Sequence, residues 1–77
     1  MNTAELLNRI DTHPEIMLGK PVIKGTRMPV ELIVEKIAYG ATYNELKIDY
    51  PFLTEDDVRA ALLYAAKRLS IEEVYAA

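Results

Sequence analysis

Asp11, His13 and Glu15 alternate through the stretch DTHPE, the one place where this chain sets an imidazole between two carboxylates. On an extended backbone, residues two apart point to the same side, so the three could converge on a divalent cation. The plainer reading is a solvated loop. Asp11 suits a turn, Pro14 biases His13 away from the helical region, and a metal-bound histidine needs further ligands and a group to orient its ring. Nucleophilic catalysis has less to draw on: there is no cysteine, Ser70 is the single serine, and no second histidine can serve as a base. Three scattered glycines do not make a phosphate-cradling loop. The chain therefore reads as a non-enzyme, with no catalytic, cofactor-binding or metal-binding residue assigned.

A second group of residues carries charge rather than catalysis. The stretch GKPVIKGTRMPV, Gly19 to Val30, holds Lys20, Lys24 and Arg27 and no acid, in a chain whose net charge is −3. Such a basic element can meet phosphates or an acidic protein surface. Three cations are few for tight phosphate binding, so a structural role for these side chains within their own fold is the simpler expectation. Lys20, Lys24, Thr26 and Arg27 are the candidate contact residues.

Local signals say what must hold them. Gly25 can take positive φ, so a turn at Lys24-Gly25 is expected to fold Val22-Ile23 back against Thr26-Met28 as a short β-ribbon over 19–30. An isolated ribbon is marginal in water and must pack on something. Before it, NTAELLNRI suggests a short helix capped by Thr3, and DTHPEIML a loop. After it, Pro29 suits a helix start and Gly40 the position past the end, with Val30, Ile33, Val34, Ile37 and Ala38 as the apolar stripe. Thr42 to Glu45 has the form of a capping box, opening a helix that ends before Pro51. Thr54 to Asp57 opens the longest helix, with Leu53 and Val58 placed as a hydrophobic staple. Its core face is predicted as Val58, Ala61, Leu62, Ala65 and Leu69, and SIEEVYAA either extends it or forms a last turn.

The 77 residues allow one domain, 1–77, with a helical bundle over 30–69. At 51% apolar the chain is globular, not disordered. The lack of cysteine suits a reducing compartment. No signal peptide and no stretch of membrane-spanning length is seen, so a cytoplasmic location without membrane contact is expected. A core this small often gains stability by oligomerising.

The stretches PEIMLGKPVIKGTRMPVELIV and YGATYNELKIDYPFLTEDDVRAALLYAA resemble the domain-of-unknown-function 433 family from about Arg9 to Ala66 (9–66). Gly-Lys-Pro at 19–21, Gly-Thr-Arg at 25–27, Asp-Tyr-Pro at 49–51 and Leu-Thr at 53–54 carry the resemblance. Met28 stands where Ile is commoner, and His13 where a small acidic residue is common. The resemblance implies a mainly α, small helix-turn-helix-like (homeodomain-like) three-helix domain with a short N-terminal β-ribbon, usually a dimer. It further implies an antitoxin that binds and inhibits a PIN-like ribonuclease toxin, and it brings no catalytic residues.

Charge tests the DNA-binding alternative. The second helix of a helix-turn-helix enters the major groove by its start, which here is Thr54-Glu55-Asp56-Asp57. Phosphates repel three consecutive acids, whereas helix capping explains them. If DNA is bound, the ribbon is the better contact. Each of the two longer helices also carries a second apolar side: Leu32 and Tyr39 on one, Ala60, Leu63 and Tyr64 on the other. Either the N-terminal segment and tail wrap the last helix, or these faces meet another chain, and a homodimer is expected. An antitoxin-like role leads; a DNA-binding transcriptional regulator or a dimeric interaction module is the alternative.

Overall fold

A computed structural model describes the backbone of residues 1–76 and the side chains of residues 1–70. The chain is mainly helical, with a two-stranded antiparallel sheet near its start. In order, α1 (Thr3–Leu7) leads into β1 (Ile10–Thr12), a three-ten turn (Met17–Gly19), β2 (Pro21–Ile23), α2 (Val30–Ala38), α3 (Tyr43–Asp49) and α4 (Glu55–Ala76). Among the described residues, no helix is long and apolar enough to cross a membrane.

Capping sets most of these boundaries. Asn2, not Thr3, caps α1: its side chain accepts from the Glu5 amide at 2.8 Å, while Glu5 reaches back to the Asn2 amide. The box at α3 is as expected, with the Glu45 amide donating to Thr42 Oγ1 and the Thr42 amide to Glu45 Oε1, each at 3.2 Å. At α4 the Asp57 amide donates to Thr54 Oγ1 and the Thr54 amide to Asp57 Oδ2, both at 3.0 Å. Each pair satisfies two backbone donors that a helix start leaves free. Gly40 at φ +98 ends α2, and SIEEVYA continues α4 to Ala76.

The ribbon forms, with a different main partner. The Thr26 amide donates to the Ile23 carbonyl and the Ile23 amide to the Met28 carbonyl, each at 3.0 Å, and Val22 bridges Pro29. Gly25, at φ +79, makes the turn. The regular ladder, however, pairs β2 with β1, Ile10 opposite Ile23 and Thr12 opposite Pro21. Asp11 and Thr12, expected in a loop, are therefore strand residues. A three-residue strand shows too little alternation to read from sequence.

The core is built from Ile23, Met28, Val30, Ile33, Leu46, Leu53, Val58 and Ala61, joining ribbon, α2, α3 and α4. The staple residues Leu53 and Val58 both lie in it. Three expected core positions are instead exposed: Ala38, Leu62 and Leu69. The reason is where the neighbours sit. α4 packs against both α2 and α1, so its buried side runs through Asp57, Val58, Ala60 and Ala61, and Leu62 turns to water.

Candidate functional site: the ribbon turn and its apolar groove

Thr26 holds the turn. Its Oγ1 donates to the Ile23 carbonyl at 2.7 Å and accepts from the Met28 amide at 3.0 Å. A hydroxyl used in both directions inside a turn is the expected behaviour of Ser and Thr there. Two of the three ribbon cations are also engaged. Lys20 Nζ lies 2.6 Å from Glu31 Oε1, and Lys24 Nζ donates to Asn8 Oδ1 at 3.2 Å. Arg27 is exposed and makes no ion pair or hydrogen bond among the described residues.

Arg27 stands at the rim of an apolar groove of about 530 Å³, between the Gly25–Arg27 turn on one side and Leu32, Tyr50 and Phe52 on the other. Met28 and Pro29 also line it. Tyr50 and Phe52 meet edge to face with centroids 6.3 Å apart, a favourable geometry that keeps an exposed phenylalanine in place. Lys36 Nζ sits 5.9 Å from the Tyr50 ring and braces it. The arrangement offers a guanidinium beside a preformed aromatic and aliphatic surface. That combination suits an apolar protein segment carrying a carboxylate.

The proposed partner faces are only partly available. Leu32 is half-buried against the core while lining this groove, and Tyr39 is exposed at the end of α2. Leu63 and Tyr64 are half-buried, with Tyr64 packed on the core. Ala60 has no exposed surface, so it is not a contact residue. Within the chain, α1 and β1 both contact α4.

At the loop, the Glu15 amide donates to His13 Nδ1 at 3.4 Å, using a lone pair that a metal would need. Among the described residues, no group of three His, Asp or Glu side chains is placed to hold a metal ion. Asp57 is the functional-looking residue that sequence reading underused. Besides capping α4 it accepts from Arg9 Nη1 at 3.1 Å, tying the N-terminal segment to the last helix.

The family model described as a protein of unknown function, DUF433, matches residues 10–65. The chain belongs to the DUF433 family. A crystal structure of a DUF433 member from Anabaena variabilis is similar, with TM-score 0.75 and 33% identity, covering 96% of this chain and 74% of that one. An uncharacterized protein of Sinorhizobium fredii, y4eO, is 32% identical over 56 residues, 73% of this chain and 25% of that protein. This chain thus spans about a quarter of the length of that curated relative. The matched segment, 10–65, contains β1, the ribbon turn, the groove and the start of α4.

Proposed function

We propose that this protein is an antitoxin-like binding protein that works as a homodimer in the cytoplasm and inhibits a PIN-like ribonuclease toxin. The observation supporting it is Arg27, a cation without an ionic partner among the described residues, beside a preformed apolar groove. In this reading Arg27 reaches a carboxylate at or near the toxin's acidic metal site, and Phe52, Leu32 and Met28 receive an adjoining apolar segment. Inhibition follows from occlusion, without chemistry by this chain.

The alternative, a DNA-binding regulator that contacts DNA through the ribbon cations Lys20, Lys24 and Arg27, has weaker support. Lys20 is held by Glu31 and Lys24 by Asn8, and the acids Glu55 and Asp56 at the start of α4 leave no second basic surface there. It calls for binding that weakens steeply with salt.

The deciding experiment is a ribonuclease assay with the PIN-like nuclease of the same host. Equimolar wild-type protein should stop cleavage, and Arg27→Glu should restore it. Unchanged cleavage in the presence of the wild-type protein would end the antitoxin reading. Inhibition that survives Arg27→Glu would remove the groove from it.

A further inference from the structure

A second apolar groove, about 610 Å³, runs between α2 and α4 on another face, lined by Val34, Ala38, Tyr64, Ala65 and Leu69. Along α2 the stripe Val30, Val34, Ala38 passes from buried through half-buried to exposed, and Leu69 on α4 is 64% exposed. The apolar surface thus continues outward from the core into water. Length explains this. The nine residues of α2 span about 14 Å, whereas the 22 of α4 span about 33 Å, so α4 runs well past its neighbour.

The charges at this groove identify the partner. Glu35 and Arg68 both line it, and neither forms an ion pair among the described residues. Glu31, the other acid there, is neutralised by Lys20. One acid and one base of opposite sign on a single face suit a two-fold contact, in which each residue meets its complement on the other copy. Ala38 and Ala65 leave room for close helix approach.

We propose that the α2/α4 groove is the homodimer interface, with Glu35 of one copy against Arg68 of the other and Leu69 of each covering the other's Val34 and Ala38. The proposal takes from the antitoxin reading only that two copies associate. It lies on a different face from Arg27 and needs no toxin for its test.

Sedimentation equilibrium on the full chain, with circular dichroism to confirm folding, tests it. The wild-type protein should have twice the mass of the 8.7 kDa chain. Glu35→Arg and Arg68→Glu should each weaken association by about tenfold, because each places two like-charged pairs in the dimer. The double variant should return to within about threefold of wild type, as expected of a direct pair. Arg27→Glu should leave the mass unchanged. A wild-type chain that stays monomeric up to about 100 μM overturns the proposal. So does a dimer indifferent to the single reversals, or one that the double reversal fails to rescue.

Discussion

Arg9 Nη1 donates to Asp57 Oδ1 at 3.1 Å across 48 residues of sequence, and Asp57 is only 6% exposed. The same carboxylate accepts the Thr54 amide through Oδ2 at 3.0 Å, so one buried side chain both starts α4 and fastens the segment between α1 and β1 to it. Asp56 adds a looser contact to Arg9 Nη2 at 3.9 Å.

Asp57→Ala should therefore cost more than an ordinary cap. Losing the cap contributes about 1 kcal/mol. Stranding a half-buried guanidinium adds about 1–2 kcal/mol, less than for a fully buried pair because Arg9 keeps access to water. Asp57→Asn keeps an acceptor for the Thr54 amide and should lose roughly half as much. Urea unfolding midpoints measure the order; an Asp57→Asn variant as stable as wild type would show that the Arg9 pair contributes nothing, and equal losses for the two variants that the cap does not.

Sequence alone made one side of this relationship legible. Thr54 and Asp57 stand at capping spacing, which is local and therefore readable, as are Thr42-Glu45, the Gly25 turn and the Pro29–Gly40 limits of α2. Arg9 was not readable as its partner, because nothing within a few residues of either marks a contact 48 positions apart. The same blindness misplaced Leu62. Periodicity correctly set Val58 and Ala61 inward, but the turn of α4 that the N-terminal segment covers depends on tertiary packing, and small Ala60 is buried where the helices meet. The candidate site divides likewise. The basic character of the ribbon was visible in composition, while the engagement of Lys20 by Glu31 and of Lys24 by Asn8, with Arg27 unpaired among the described residues, depends on tertiary contacts.

Thr26 provides a test of that division. As a turn-holding hydroxyl it should be replaceable by serine at little cost, whereas Thr26→Val leaves the Met28 amide without its acceptor and should cost about 1–2 kcal/mol. For a domain of this size that is a fall in Tm of very roughly 4–16 °C. Thermal unfolding of the two variants decides it; a valine variant as stable as wild type would free Thr26 for a role in binding.

Ile33 and Leu62 separate the observed core from the one periodicity suggests. Ile33 has no exposed surface, and Ile33→Ala should cost about 2–5 kcal/mol. Leu62 is 40% exposed, and Leu62→Ala should cost well under that, about 1 kcal/mol or less. Guanidinium unfolding gives both values. Comparable losses would mean that α4 is rotated relative to the structure.

Leu18 sits in the three-ten turn at φ 58, ψ 34, next to Met17 at φ 49, and it is 95% exposed. Two successive non-glycine residues in the left-handed region cost about 1–2 kcal/mol each. Leu18 recovers almost nothing from packing within the chain. Asparagine tolerates this conformation far better, so Leu18→Asn should stabilise the isolated chain by about 0.5–1 kcal/mol. The measurement is best made by urea unfolding at low micromolar concentration and again near the highest soluble concentration. A gain at both identifies the leucine as locally strained and unsupported. A loss of stability in the variant would show that Leu18 is covered by a contact this single chain does not contain.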